Sequence, residues 1–579
     1  MTDANFREGG ALGRFSAMNL HFARGSVDAT GGIRWWLLPL LILQQGLVHA
    51  ATPVFTDVTV ESGIDFVHTN GAGGQKYVIE TVGPGAAFFD YDADGDLDVY
   101  LLNGAPTGPE AEPAADTVNR LYDNNGAGSF GDATAHSGLD DDGYGMGSCA
   151  ADADNDGDVD VYVTNFGPNR YYENDLGKGR FADRPSSATV AGSAFSTSCA
   201  FADVDADGFV DLYVADYHDF SYSNHRLCAE GGSGLQLYCG PESFDGVRDH
   251  LFRNQGDGTF RDETEERGLL STAGKELGVI FGDLDLDGDT DLYLANDKTL
   301  NFLYLNDGSG HFTETGLLAG AAYNEDGDVE AGMGVHLADY DGDLLPDLLV
   351  TNFQWETNTL YRNIGGAAFL DETFNAGFGK SSIPFLSWGT QLFDVDNDGD
   401  RDAFIASGHL ESDVEIYENT TFAQRNQLFL NDGSGRYEEF VPLKGDALDT
   451  RQVSRGAAFG DYDDDGDIDI LVANVSDRPQ LLRNDTASAG HWLRLQLEGT
   501  ASNRSAVGAR VTLRAGPQQA AAEVATGGSY LSQSDLRLHF GLGATTLVDS
   551  IRVAWPSGVV QKLTDVAADR LHVIREEGG

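Results

Sequence analysis

The residues best equipped for chemistry are aspartates at alternate positions of one nine-residue pattern, D-x-D-x-D-G-x-x-D. It occurs as Asp90, Asp92, Asp94 and Asp98, then as Asp152, Asp154, Asp156 and Asp160, and as Asp203, Asp205, Asp207 and Asp211. It returns as Asp283, Asp285, Asp287 and Asp291, as Asp339, Asp341, Asp343 and Asp347, as Asp394, Asp396, Asp398 and Asp402, and as Asp461, Asp463, Asp465 and Asp469. A tight turn points such carboxylates at one centre. The seventh residue of each loop (Asp96, Asp158, Phe209, Asp289, Leu345, Asp400 or Asp467) is expected to add a backbone carbonyl. Hard oxygen donors in that number and flexibility suit calcium, which takes six to eight of them, rather than transition metals. About seven calcium sites are therefore expected, each fixing a hairpin in register, with binding energy acting as folding energy. In the fifth loop Leu344 replaces the turn glycine, so this site is expected to be the weakest by about 1 kcal/mol. Asp464 falls between ligand positions and is expected to face solvent.

The elements that position these loops repeat with them. Before each loop runs a short strand of apolar or small residues with glycine five positions ahead of the first aspartate: Gly85, Gly147, Gly278, Gly334, Gly389 and Gly456, with Ser198 in the third unit. Glycine there permits close backbone approach. A second strand follows, then a segment N-x-L-Y-x-N, as in Asn119–Asn124 and Asn301–Asn306, then a Gly-rich turn and a fourth strand. Four short strands repeated seven times predict an all-β, seven-bladed calcium-binding β-propeller over residues 51–487; an open solenoid is the alternative. The ends favour the propeller. The last repeat lacks its fourth strand, while Phe55–Gly63 matches the fourth strand of other repeats and is expected to complete that blade.

The chain has 579 residues and a formal net charge of -57, with 93 acidic against 36 Lys and Arg residues. Such charge repels itself unless divalent cations relieve it, and no basic stripe exists to meet nucleic acid. Residues 1–50 contain Arg34, the apolar run Trp35–Leu43 and the small-residue end Val48-His49-Ala50, which read as an export signal or an uncleaved N-terminal anchor. No second spanning run follows, so the chain is expected to be secreted, periplasmic or on the outer cell surface. In an oxidising compartment Cys228 and Cys239 are expected to staple the insertion 216–249. Cys149 lies three residues before its aspartate block and Cys199 four before, so they are expected to face opposite ways and stay as free thiols.

From residue 488 to 579 the repeats give way to alternating strands such as Leu493-x-Leu495-x-Leu497 and Ile551-x-Val553-x-Trp555, which predict a small C-terminal β-sandwich domain docked on the propeller. The repeats resemble the FG-GAP or VCBS repeats of integrin-type propellers. The tail, with His491-Trp492-Leu493, Ser502–Arg510, Gly528–Ser534, His539–Gly543 and Val553–Gly558, resembles the ASPIC/UnbV domain. Together they resemble the bacterial relatives of cartilage acidic protein 1. That resemblance implies an exported, calcium-binding protein with an interaction role and no settled biochemical activity.

The leading expectation is thus a non-catalytic recognition or scaffold protein whose partner is an exported protein or glycan. Tyr217–Tyr222, beside the Cys228–Cys239 staple, is the candidate ligand-facing segment. Two alternatives stand: an exported enzyme or accessory subunit acting on polysaccharide or a redox partner, and a cell-surface adhesin whose calcium loops touch the ligand. The histidines form no metal or acid–base spacing, and no nucleophile elbow is present.

Overall fold

The computed structural model describes residues 51–111, 117–174, 179–184, 190, 192, 194–229, 234–269, 274–487 and 490–578. The expected export signal lies outside them. Among the described residues no helix is long and apolar enough to cross a membrane.

Each acidic loop joins the first two strands of a four-stranded antiparallel sheet. In the first sheet the strands are Ala86–Phe89, Asp98–Leu101, Arg120–Asn124 and Phe130–Asp132. Six further sheets repeat this order, their first strands being Gly145–Ala151, Ser196–Ala202, Glu276–Gly282, Val335–Ala338, Ser387–Phe393 and Ser454–Gly460. The seventh takes its outer strand from the other end of the sequence: Phe55–Asp57 pairs antiparallel with Gln480–Asn484, Phe55 opposite Asn484. The first strand of each sheet packs on that of the next, and Ser454–Gly460 packs in turn on Ala86–Phe89. Apolar clusters fill the spaces between sheets: Ala87, Phe89 and Tyr100 of the first meet Ala150, Val161 and Val163 of the second.

That stacking corrects the expectation for Cys149 and Cys199, which form a disulfide with Cα atoms 5.8 Å apart. Cys149 and Ala151 face the third sheet, and Cys199 and Phe201 face the second. Two sheets packed face to face present opposite faces to each other, so cysteines of opposite parity meet. Opposite orientation, taken as grounds against pairing, is what pairing across sheets requires. Cys228 and Cys239 are also disulfide-bonded.

The C-terminal region forms two sheets. One holds Leu538–Gly543, His491–Glu498 and Leu571–Arg575; the other holds Gln518–Glu523, Arg510–Ala515, Leu547–Ala554 and Val560–Ala567. Leu493, Leu495, Ile551, Val553 and Trp555 share their core. The region does more than dock. The segment Thr526–Ser534 threads among the first strands of the seven sheets. Thr526 Oγ1 bonds the backbone of Phe201, Gly528 N–H donates to Val279, Val335 N–H donates to Ser529, and the Ser529 hydroxyl donates to Ala457. Tyr530 Oη donates to the Val82 carbonyl, and Gln533 bonds Ala86 and Phe88. The repeated glycine allows two kinds of close approach: a Cβ on Gly85 would lie 1.9 Å from the Leu531 carbonyl oxygen and one on Gly456 2.4 Å from Ser532 Oγ, whereas one on Gly278 or Gly334 would meet first the Met333 (2.3 Å) or Trp388 (2.2 Å) carbonyl oxygen beside the next sheet. Ser198, the exception, uses its hydroxyl to accept from Leu531 N–H at 3.3 Å.

Candidate metal centre

Each acidic loop is shaped by its own backbone before any ion is considered. In the first, Asp90 accepts from the N–H groups of Asp94 (3.1 Å) and Gly95 (2.9 Å), and Asp94 accepts from Asp96 N–H (3.0 Å). Asp98 accepts from Tyr91 N–H inside the loop (3.0 Å) and from Asn124 N–H on the third strand (2.7 Å). These bonds fix one side of each carboxylate and aim the rest inward. Ligand oxygens of Asp90, Asp92 and Asp94 lie within 4.8 Å of one another, as do those of Asp152, Asp154 and Asp160, of Asp203, Asp205 and Asp207, of Asp283, Asp285 and Asp291, and of Asp339, Asp341 and Asp347. The sixth and seventh loops keep the same internal bonds, Gly399 N–H to Asp394 and Gly466 N–H to Asp461 among them.

The turn geometry holds one feature the pattern hid. The sixth position is left-handed, as expected of Gly95 (φ 104°), but so is the fourth: Ala93 (59°), Asn155 (63°), Ala206 (54°), Leu286 (64°), Asn397 (58°) and Asp464 (58°). The fifth loop exchanges the two, placing Gly342 (φ 78°) at the fourth position and Leu344 (φ 69°) at the sixth. Its glycine has moved rather than vanished, which offsets part of the expected weakness.

The closing asparagine of N-x-L-Y-x-N, unassigned by sequence reasoning, joins neighbouring loops. Asn174 Nδ2 donates to the Tyr91 carbonyl of the preceding loop at 3.0 Å; Asn254 does so to Ala153, Asn306 to Val204, Asn363 to Leu284, Asn431 to Tyr340 and Asn484 to Val395. Asn124 donates to Tyr462 of the seventh loop at 2.8 Å. The signal was an asparagine at a fixed place in every repeat.

Electrostatically the loops crowd partly buried carboxylates together. Burial, reinforced by neighbouring carboxylates, pushes Asp90 up to about 6 and Asp98, Asp291 and Asp347 up to about 8. Backbone N–H donors oppose the rise without cancelling it. Asp92 Oδ1, Asp205 Oδ1, Asp283 Oδ1 and Asp463 Oδ1 are buried with no hydrogen-bond partner among the described residues. An all-oxygen donor set with orphaned carboxylate oxygens fits a hard divalent cation.

The loops differ in what flanks them. The residue before each closing asparagine is acidic in the first two repeats (Asp123, Glu173) but arginine in the third, fifth and seventh. Arg253 pairs with Asp205 (2.7 Å) and Asp207 (2.5 Å), and Arg362 with Asp341 (2.5 Å) and Asp343 (3.0 Å). In the seventh loop the buried Arg494 of the C-terminal region reaches Asp461 (2.5 Å) and Asp464 (2.7 Å). Asp464 is exposed, as expected, and also bonds that arginine.

The C-terminal region meets the other loops too. Arg537 donates to the Gly95 carbonyl (3.1 Å), Asp152 N–H to Ser505 Oγ (2.9 Å), Asp283 N–H to Glu523 (3.3 Å), Arg510 to the Leu344 carbonyl (2.6 Å) and Gly543 N–H to the Asn397 carbonyl (2.9 Å). In the candidate ligand segment Tyr217–Tyr222, Tyr217, His218 and Phe220 are buried among Tyr77, Phe195 and Phe244, Ser221 and Tyr222 are half-buried and Asp219 is exposed; burial lowers His218 to about 3.

A model of the FG-GAP-like repeat matches residues 90–163, 152–214, 237–294, 283–350 and 394–472. The chain belongs to the FG-GAP-repeat family. A model of the ASPIC and UnbV domain matches residues 499–579. Cartilage acidic protein 1 of Mus musculus is 28% identical over 566 residues, covering 93% of this chain and 79% of that protein; the Homo sapiens protein is 27% identical over 497 residues, covering 82% and 69%. The chain is homologous to that group, with an FG-GAP-repeat region followed by an ASPIC/UnbV domain. Among solved structures, a lectin from Agrocybe aegerita described for recognition of terminal N-acetylglucosamine aligns at 17% identity and a TM-score of 0.37, over 62% of this chain and 79% of the lectin.

Proposed function

We propose that the chain is an exported, calcium-loaded, non-catalytic recognition or scaffold protein, built as a closed seven-bladed propeller over residues 51–487 with an ASPIC/UnbV domain over 488–579. The observation that carries this reading is the recurrence, loop after loop, of converging carboxylates with orphaned oxygens. Calcium bound at each loop would hold its hairpin, and the asparagine links would pass that rigidity to the next blade. In this reading Thr526–Ser534 fills the axis of the ring. The C-terminal contacts on the loops argue against a ligand touching calcium directly, so recognition belongs to surfaces away from the acidic loops. The partner is an exported protein or glycan.

The test is calorimetric calcium titration of chelator-stripped protein, followed by capture from its native compartment with and without calcium. Binding of several ions per chain and recovery of one specific protein or glycan support the proposal. No calcium uptake, or turnover of a co-captured substrate, would sink it.

A further inference from the structure

In a chain this acidic, four arginines share one cavity. Arg401, Arg494, Arg510 and Arg537 line a space of about 150 Å³ where the C-terminal region covers the first strands of the fourth to seventh sheets. Strand register places two of them. Arg494 stands opposite His539, and Arg510 opposite Glu523, across neighbouring antiparallel strands of the two C-terminal sheets. Arg401 comes from the sixth acidic loop, and its Nη2 donates to the His539 carbonyl at 3.3 Å.

Two of the four charges are answered within the protein. Arg537 Nε donates to both oxygens of Asp535 (3.0 and 2.8 Å), and Arg494 Nη1 reaches Asp461 and Asp464. Arg401 and Arg510 form no ion pair among the described residues. Arg401 lies over the Phe540 ring at 6.0 Å, and Arg510 Nη2 donates to the Leu344 carbonyl at 2.6 Å. The other carboxylates on the cavity wall are engaged elsewhere: Asp339 accepts from the N–H groups of Gly342, Asp343 and Leu344 in its own loop, and Glu523 from Asp283 N–H. Asp339, Asp394 and Asp283, the loop acids near Arg401 and Arg510, are candidate calcium ligands, so this step rests on the calcium reading above. Guanidinium donors are also in excess. Arg494 is 2% exposed, yet its Nη2 has no hydrogen-bond partner among the described residues, and neither has the buried Nη2 of Arg537. His539 gives its Nε2–H to the Gly466 carbonyl at 3.0 Å and stays neutral, adding no charge to the cavity. Water can take a spare N–H, but not two uncompensated buried charges, which are costly without a counter-ion.

We propose that Arg401, Arg494, Arg510 and Arg537 hold one compact oxyanion of the phosphate type in this cavity. Guanidinium N–H groups arriving from several directions suit an anion with several oxygens and a double charge. The anion ties both C-terminal sheets, through Arg494 and Arg510, to the sixth acidic loop, through Arg401. The site is separate from the calcium centres and opposite in charge.

The test is equilibrium dialysis of the full, calcium-loaded chain against radiolabelled inorganic phosphate at fixed ionic strength. One phosphate per chain is expected. R401Q/R510Q leaves every acidic loop its aspartates and is expected to bind at least about tenfold more weakly. R120Q removes a surface arginine paired with Asp132 and is expected to match wild type. No retention by wild type, equal retention by the double variant, or equal loss in R120Q would overturn the proposal. Calcium assayed in the same samples scores the calcium reading separately. Should the double variant not fold, R510Q alone decides: retention weakened about tenfold supports the site, and unchanged retention rejects it.

Discussion

The first and third acidic loops share four aspartates, one turn and one set of internal hydrogen bonds, and differ in what the adjoining strand presents. Asp123 adds negative charge beside the first, whereas Arg253 and Arg267 both reach Asp205 in the third. The first loop lowers its self-repulsion by taking up a cation or protons. The third already has guanidinium groups doing part of that work, and calcium must displace or tolerate them. The backbone motif sets the shape of a site, and its flanking residue sets how strongly the site demands an ion.

The largest effect expected is from stripping calcium. Each ion held at about a hundredfold over its dissociation constant contributes about 2.7 kcal/mol, so chelation should lower the melting temperature by tens of degrees. Its pH dependence separates charge from architecture. Asp90 and Asp98 titrate in the folded, ion-free chain at about 6 and about 8, above the ordinary value for aspartate. Their contribution to stability is therefore full below about pH 4 and is lost as pH rises through 6 to 8. Chelated protein should melt higher at pH 5 than at pH 8, with calcium reversing that order; a chelated melting point that rises steadily from pH 5 to 8 would break the argument.

Next comes N124A, which strips the Leu97 and Tyr462 carbonyls of their shared donor. A loss of about 2–4 kcal/mol is expected in denaturant titration, from two buried acceptors left unpaired. A loss below about 0.5 kcal/mol would show that the asparagine link between sheets is ornamental.

Exchanging flanking charges tests the comparison itself. R253E should raise calcium affinity at the third loop by about tenfold, and D123R should lower it at the first by a similar factor, the size expected of a partly screened charge a few ångströms away. If site-resolved titration shows both loops unmoved, the flanking residue is irrelevant. The smallest effect is L344G, which relieves a left-handed leucine and should stabilise the chain by about 0.5–1 kcal/mol, a degree or two in melting temperature.

The acidic loops, the repeated strands and the displaced Phe55–Asp57 strand were legible because each is local and recurs in register. What escaped was relational. The Cys149–Cys199 bond depends on which faces two stacked sheets turn to each other, and strand parity alone gives that answer backwards. The repeated glycine spoke of close approach without naming what approaches: at Gly85 it is Thr526–Ser534, more than four hundred residues downstream, and at Gly334 the neighbouring sheet. Tyr217, His218 and Phe220 were misplaced for the same reason: their surroundings, Tyr77, Phe195 and Phe244 among them, come from other segments of the chain.

The pairing of Phe55 with Asn484 has a consequence for how the molecule is made. The strand available earliest finds its hydrogen-bonding partner only after nearly the whole chain has been synthesised. Non-local pairings of this kind are slow to form and leave an unpaired strand edge exposed meanwhile. A nascent chain would pass through an intermediate with sheets one to six formed and both ends unpaired. Calcium arriving before Asn484 emerges would rigidify hairpins one at a time, turning a single long-range search into a sequence of short ones. Only the last step would then join beginning to end.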